Sequence, residues 1–193
     1  MNHLRHVTLA LVALGVLFGG IEPAGAQTTF KVDPVHSFVT FRIRHMGVAH
    51  AWGRFDQPQG TVVWDDADPS KSSVQVTLQT ERIDTGNEKR DAHLRSPDFF
   101  NARQFPTITF KSTAVTKKGE GEFEVRGDMT LLGVTKPVTA KVVKVGEADT
   151  KRGQLAGWDA FFTVKRSEFG MTFMPDGLGD EVTIFVSVEG VGQ

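Results

Sequence analysis

The 193-residue sequence contains no cysteine and no tyrosine. Without cysteine the protein has neither disulfides nor a thiol nucleophile, so its core must be held together by packing alone. The sequence also lacks an excess of charge: 22 basic and 23 acidic residues give a net charge of −1. This near balance argues against a nucleic-acid partner.

Long apolar runs are scarce as well, and the clearest one lies at residues 7–18. It follows a weakly basic start and precedes Ala24-Gly25-Ala26, the small-residue pattern of a signal peptidase site. A transmembrane anchor is the alternative, but the run is shorter than the roughly 20 residues that span a bilayer. We therefore expect residues 1–26 to be a cleavable signal peptide and the protein to be periplasmic.

Removing 26 of the 193 residues leaves 167, a length suited to one domain with a substantial core. The aromatic content is unusual, with fifteen Phe and three Trp. Phenylalanine adds bulk without a hydroxyl group that needs a hydrogen-bond partner, which suits a dry interior. We expect residues 27–193 to form a single domain.

Alternation of polar and apolar residues dominates this domain, and it predicts antiparallel strands with one solvated face. In one of them, Val39, Phe41 and Ile43 share a face opposite Thr40 and Arg42. The same pattern recurs at residues 74–79, 122–126, 138–142, 158–164 and 182–188. Turn-forming residues separate the runs at 33–34, 65–69, 117–121 and 146–153.

The pattern gives eight to ten strands, more than an open sheet with exposed edges comfortably holds. A closed eight-stranded antiparallel barrel of the lipocalin type removes the edges and leaves room for one elongated ligand. A β-sandwich would satisfy the same alternation. The prediction is an all-β fold, with the barrel favoured over the sandwich.

One charged segment, residues 83–100 with the sequence IDTGNEKRDAHLRSPDFF, interrupts the strands. Thr85 and Glu88 have the spacing of a capping box, which predicts a helix beginning there. On that helix Arg90, His93 and Leu94 would share one side. We expect a short helical insert near residues 86–102.

The second half of the insert predicts another helical turn. Ser96-Pro97-Asp98 offers an N-cap, a proline at the first helical position and an acid in the first turn. Phe99 and Phe100 follow, and two phenylalanines on a polar segment need a surface to bury against. The mouth of the barrel is the simplest choice, so the insert is interpreted as a lid.

Four histidines, His36, His45, His50 and His93, lie in the first half of the domain. No pair has the spacing of a familiar metal site, so a buried, hydrogen-bonded role is favoured over metal binding. Two alternatives stay open: an enzyme that acts on a lipophilic small molecule with His45 or His93 as the base, and a metal-dependent site that uses them. A partner that docks on a membrane redox protein is a third.

Short motifs along the domain resemble, in order, those of the YceI-like family. They are Asp33-Pro34-Val35-His36-Ser37, Arg44-His45-Met46-Gly47, Gly53-Arg54-Phe55, Ile83-Asp84-Thr85-Gly86, Arg90-Asp91-Ala92-His93-Leu94-Arg95-Ser96, Asp98-Phe99-Phe100, Phe105-Pro106-Thr107-Ile108-Thr109-Phe110, Gly127-Asp128-Met129-Thr130, Gly133-Val134-Thr135-Lys136-Pro137-Val138 and Arg166-Ser167-Glu168-Phe169-Gly170. The resemblance implies a lipocalin-like periplasmic barrel that holds a polyisoprenoid, such as an isoprenoid quinone or a related prenyl lipid. The family has no established catalytic residues, so the resemblance implies a binding and transport protein rather than an enzyme.

The apolar strand faces and the insert together predict the ligand-binding residues. Phe99, Phe100 and Phe169 are placed at the entrance. We expect no catalytic residue, no metal ligand and no cofactor other than the bound lipid. The expected partners are an isoprenoid lipid or another amphiphilic small molecule, a transient membrane contact and a second copy of the chain in a homodimer, but no nucleic acid. The predicted ligand-binding set is Val39, Phe41, Ile43, Val76, Leu78, Phe99, Phe100, Phe110, Met129, Phe162 and Phe169.

Overall fold

The computed structural model describes residues 27–193, so the expected signal peptide at 1–26 lies outside the described residues. Within the described range no helix is long and apolar enough to cross a membrane. The described residues form eleven strands and one α-helix. They are β1 (Thr28–Val32), β2 (Phe38–His45), β3 (Ala49–Phe55), β4 (Gln59–Trp64), β5 (Ser73–Gln79), β6 (Ile83–Asp84), α1 (Glu88–Arg95), β7 (Thr107–Lys117), β8 (Glu122–Leu131), β9 (Val134–Thr150), β10 (Gly153–Lys165) and β11 (Leu178–Gly192).

The strands form one antiparallel sheet in the order β1-β4-β5-β7-β8-β9-β10-β11-β2-β3-β6, and β1 also pairs with β11. The pairing of β1 with β11, which includes Phe30 opposite Gly192, closes the sheet into a barrel. β1 and β2 lie along different stretches of β11 and act as one interrupted strand. β4 and β3 form a second interrupted strand, and β5 and β6 a third.

Counted in this way, the barrel has eight strands. The predicted fold class, a closed eight-stranded antiparallel barrel with a short helical insert, is confirmed, and the sandwich alternative is wrong. The interruption between β1 and β2 is bridged by Ser37, whose hydroxyl donates to the Glu189 carbonyl and accepts from the Glu189 N–H. A side chain thus replaces ladder hydrogen bonds where the strand breaks.

The inward faces form two hydrophobic clusters stacked along the barrel axis. The first includes Phe55 and Phe100, and the second includes Phe30, Trp64 and Trp158. Trp64 and Trp158 pack with ring centroids 5.5 Å apart and are almost completely buried. The second cluster therefore fills one end of the barrel with aromatic side chains, and the first lies in the other half.

The turn expected at residues 146–153 is wrong. β9 continues through this region to Thr150, and the turn is confined to residues 151–152. Gly146 lies opposite Gly157, next to a shift in the register of β9 against β10. The glycines therefore mark an irregularity inside a long hairpin, a role that glycine often has in strands.

The helix of the insert begins later than expected. Asn87, not Thr85, is its N-cap: the Asn87 side chain accepts a hydrogen bond from the Arg90 N–H. The second helical turn predicted after Ser96 does not form, because the N–H of Phe100 donates back to the carbonyl of Leu94 at the end of α1. Residues 97–100 are a turn that folds over the end of the helix.

Two glycines provide a matched test of backbone packing in the sheet. A Cβ at Gly60 would collide with the Gln75 carbonyl oxygen, whereas a Cβ at Gly146 would meet no atom within 4 Å. We predict that Gly60→Ala lowers the free energy of unfolding by about 1–3 kcal/mol. Gly146→Ala should change it by about 0.5 kcal/mol or less. Urea denaturation of both variants is the measurement, and equal effects would contradict the packing described here.

Candidate ligand-binding cavity

A cavity of about 640 Å³ runs inside the barrel. This volume falls within the roughly 300–1,000 Å³ typical of small-molecule sites. Its wall is built almost entirely from apolar side chains of the inward strand faces. The inward faces therefore enclose a hollow instead of meeting in the middle.

The structure places ten of the eleven predicted ligand-binding residues on the cavity wall. These ten are Val39, Phe41, Ile43, Val76, Leu78, Phe99, Phe100, Phe110, Met129 and Phe162. Phe169, predicted at the entrance, is 1% exposed and is not among the lining residues. It lies in a short 3₁₀-helical turn after β10 and packs into the first hydrophobic cluster.

Sequence reasoning left further wall residues out of the predicted set. Most of them continue the same alternating faces, so the period-two pattern was the signal that could have found them. Several lie near the aromatic end of the barrel. The additional wall residues that continue these faces include Val62, Trp64, Val74, Val125, Ala140, Val142, Trp158, Ala160, Val164, Val182, Ile184, Val186 and Val188.

The insert covers one end of the cavity with a cluster of rings. Phe99 packs edge-on against His93 and Phe173, at centroid distances of 5.0 and 5.2 Å. Phe100 packs in the same way against Phe55, at 5.4 Å. Both phenylalanines of the insert are buried and line the cavity. They therefore join α1 to the barrel wall, as a lid requires.

The opposite side of this end is open. His45 and Ala49 flank the turn between β2 and β3, and both line the cavity while remaining exposed. Met174 does the same from the segment before β11. We call the end bounded by these residues and α1 the mouth.

Arg166 organises the chain beside the mouth. It is 4% exposed, and its guanidinium donates to the carbonyl oxygens of Met171, Phe173, Leu178 and Gly179 at 2.7–3.2 Å. Two backbone acceptors in the segment before β11 and two at the start of β11 are thus tied to one buried side chain. A buried guanidinium is stable there because its donors are satisfied.

The carboxylate of Asp180 lies just after the same segment, near the start of β11. The Ser167 N–H and hydroxyl donate to Asp180 at 2.9 and 2.8 Å. The backbone hydrogen bond from Ser167 is the main reason that the pKa of Asp180 lies below its ordinary value. Asp180 and Arg166 together hold both ends of the segment that borders the mouth.

The charged side chains that line the cavity are basic. They comprise Arg90 and Arg166, together with His45, His50 and His93, and among the described residues no Asp or Glu contributes to the wall. His93 has an acidic neighbour that is not part of the wall, because its Nε2 is 2.8 Å from Asp98 Oδ2. Any ligand at the mouth therefore meets positive charge or neutral imidazole.

Arg90 is held by Thr85, which lies just before α1. Its Nε donates to Thr85 Oγ1 at 2.7 Å and its Nη2 to the Thr85 carbonyl at 2.6 Å. Thr85 is in turn bound to the buried Asp91, whose Oδ1 accepts from the Thr85 N–H at 2.9 Å. The capping-box interpretation gave Thr85 a different partner and missed this network.

A group of three candidate metal ligands lies on the outer wall: Asp33, His36 and Glu189. His36 Nδ1 is 2.9 Å from Asp33 Oδ2, and this hydrogen bond is the main cause of a lowered pKa of Asp33. Arg152 approaches both carboxylates. His36 and Arg152 thus already contact the carboxylates of Asp33 and Glu189. Neither His45 nor His93 belongs to this group.

The YceI-like domain model matches residues 30–190 of the chain. The chain belongs to the YceI-like family. It is 39% identical over 188 residues to a UPF0312 protein of Pseudomonas aeruginosa, with 96% of this chain and 98% of the relative covered. The resemblance inferred from the ordered motifs is thereby confirmed.

Solved structures share the fold of this YceI-like protein. Burkholderia cenocepacia BcnA superposes with a TM-score of 0.76 at 24% identity, over 82% of this chain and 98% of that one. A polyisoprenoid binding domain from Saccharophagus degradans, implicated in plant cell wall breakdown, superposes with a TM-score of 0.64 at 13% identity, over 85% and 98%. At these identities the likeness establishes the barrel and not the ligand.

Arg166 provides a test of how the mouth is held together. Arg166→Ala leaves four carbonyl oxygens without their hydrogen-bond donor. We therefore predict a loss of about 3 kcal/mol in the free energy of unfolding. Hydrogen exchange at residues 171–179 should accelerate more than exchange in β8 and β9. Arg152→Ala, at an exposed arginine with surface ion pairs, is the control and should cost less than about 1 kcal/mol. Equal costs for the two variants would contradict the assignment.

Proposed function

We propose that this protein is a non-enzymatic periplasmic carrier that binds a long isoprenoid lipid, of the isoprenoid quinone or polyprenyl type, in the barrel. The observation that carries the proposal is the hollow apolar cavity with one open end. Membership of the YceI-like family and the shared fold of a polyisoprenoid binding domain support it. The export signal expected at residues 1–26 supports the proposed periplasmic location.

The physical need for such a carrier follows from the cost of wetting a hydrocarbon tail. Each CH₂-sized group moved from an apolar environment into water costs about 0.8 kcal/mol. A tail of several five-carbon units therefore crosses an aqueous compartment only inside a dry enclosure. The cavity offers such an enclosure, because its wall is nearly free of groups that need a hydrogen-bond partner.

The mouth carries exposed apolar side chains that favour transient contact with a membrane. Val48 and Met46 lie at the tip of the β2–β3 turn, and Phe173 and Met174 lie beside it. The two segments are joined, since the Met46 N–H donates to the Gly177 carbonyl at 2.7 Å. We call these four residues the apolar rim. Inserted into a bilayer surface, the rim would let a lipid enter the cavity without crossing water.

The homodimer expected from the sequence remains a proposal. The outer wall carries a stripe of aromatic residues in which Phe185 packs against Trp52 and Phe161, at centroid distances of 5.6 and 5.3 Å. Trp52 and Phe161 are half exposed. This stripe is where we would place a second copy of the chain.

The enzymatic alternative, with His45 or His93 as the base, receives less support. The Nε2 of His93 is hydrogen-bonded to Asp98, and its ring packs against Phe99 and Phe173. These contacts fix the insert on the mouth and give His93 a structural task. The binding function accounts for the cavity as a whole, whereas the alternative accounts for two side chains.

A cavity-filling substitution tests the carrier. Ala160 lines the cavity, and Ala160→Trp should reduce the uptake of an added polyprenol at least about tenfold, because the indole occupies the space of the tail. Asp159→Trp adds the same group on the outer face of the same strand and should leave uptake unchanged. Uptake is measured by fluorescence competition, and folding of both variants by circular dichroism.

The bound lipid itself is identified by extraction. Protein purified from its native host is extracted with organic solvent and analysed by mass spectrometry, and we expect a prenyl lipid in the wild type and little in Ala160→Trp. Recovery of no prenyl lipid, together with no uptake of added polyprenol or quinone by the wild type, would refute the carrier.

The apolar rim is tested by the rate of lipid transfer between vesicles. Val48→Asp places a charge on the rim and should slow transfer at least about fivefold while leaving the affinity for the lipid unchanged, because charge opposes insertion into the bilayer. Val35→Asp is the control, since Val35 is 72% exposed, comparable with 86% for Val48, but lies in the turn between β1 and β2. Equal transfer rates for the two variants would refute rim contact.

A further inference from the structure

Arg90 differs from His93 and Arg95 of α1 in making no ion pair within the described residues. His93 pairs with Asp98, and Arg95 pairs with Glu81. In the part of the chain that the structure describes, Arg90 makes no ion pair, and its hydrogen bonds use only Nε and Nη2. The Nη1 edge of its guanidinium is therefore available at the mouth, where Arg90 lines the cavity.

The position of this guanidinium is fixed by a chain of hydrogen bonds. The Thr85 hydroxyl donates to Asp91 Oδ1 and accepts from Arg90 Nε, so its proton and its lone pair are both engaged. Asp91 is buried. The Thr85 methyl group lies against Gly53, where a Cβ would be only 2.8 Å away. Thr85 is thus held on both sides, and Arg90 is preorganised before a ligand arrives.

The electrostatic setting of the mouth favours a negative group. Arg166 also lines the cavity, but its donors are engaged by four carbonyl oxygens. The remaining charged or titratable wall residues are histidines, and within residues 27–193 no carboxylate lines the cavity. A guanidinium edge without an acidic partner binds phosphate or carboxylate oxygens by charge-assisted hydrogen bonds.

We propose that Arg90 anchors an anionic oxygen head group, a phosphate or a carboxylate, of the lipid whose tail lies in the cavity. This inference rests on the proposed carrier function and adds the chemistry of the head group and its orientation toward the mouth. It favours a polyprenyl phosphate type of ligand over a neutral quinone. The apolar tail points toward the aromatic end formed by Trp64 and Trp158.

Two probes with the same tail separate the head group from the tail: geranylgeranyl phosphate and geranylgeraniol. The wild type should bind the phosphate at least about tenfold more tightly than the alcohol, the factor expected for one charge-assisted hydrogen bond. Arg90→Gln should remove this preference, because the affinity for the phosphate should fall about tenfold more than the affinity for the alcohol. Arg90→Lys keeps the charge without the planar fork and should retain part of the preference.

Lys89→Gln is the matched control, because it makes the same change of charge on the same exposed stretch of α1 at a residue outside the cavity wall. It should keep the wild-type preference. Thr85→Val removes the hydroxyl that positions Arg90 and should weaken the affinity for the phosphate more than the affinity for the alcohol. Raising the salt concentration should reduce the preference of the wild type, since an exposed charge pair is screened.

The outcomes distinguish this inference from the carrier function. Equal affinity of the wild type for both probes would overturn the head-group assignment and leave the carrier in place. A loss of affinity for both probes in Arg90→Gln, together with a lowered melting temperature, would show that Arg90 only holds the insert and would also overturn it. Failure of the wild type to bind either probe would count against the carrier itself.

Discussion

The pairing of β1 with β11 is the constraint on which the rest of the structure depends. Phe30, Lys31 and Val32 lie opposite Gly192, Val191 and Gly190, and these pairs turn an open sheet into a ring. A ring of eight strands is just wide enough either to be filled by its inward side chains or to hold one small ligand. Closure therefore sets the width of the interior, and the inward side chains leave a cavity of about 640 Å³ within it.

The two ends of the barrel have different tasks. At one end Trp64 packs edge to face against Phe123 and at a tilt against Trp158, and these buried rings supply stability. Within the described residues, the indole nitrogen of Trp158 is the buried side-chain nitrogen that lacks a hydrogen-bond partner, a cost that bulky packing at this end offsets. At the other end polar hydrogen bonds, from Arg166 to backbone and from Arg90 to Thr85, hold segments around an opening.

The cavity wall could be predicted from the sequence because successive side chains of a strand point to opposite faces of the sheet. Once one apolar residue is assigned to the inner face, the faces of its neighbours follow. Thus Val39, Phe41 and Ile43 follow from alternation alone. Features that depend on contacts between distant segments could not be predicted. Thr85 has the spacing of a helix cap, but Asp91 engages its hydroxyl, and the neighbouring Asn87 caps instead. That Arg90 makes no ion pair among residues 27–193 is likewise visible only once the insert is placed on the mouth.

The long β11 strand has a consequence for folding. It pairs with β10 along its length and with both β1 and β2 on its other edge, so the first and last parts of the domain meet on one strand. Contacts between residues so far apart in sequence are paid for in loop-closure entropy and form slowly. Until they form, the apolar inner surface faces solvent, so we expect the unclosed chain to be the species most prone to aggregate and most dependent on chaperones.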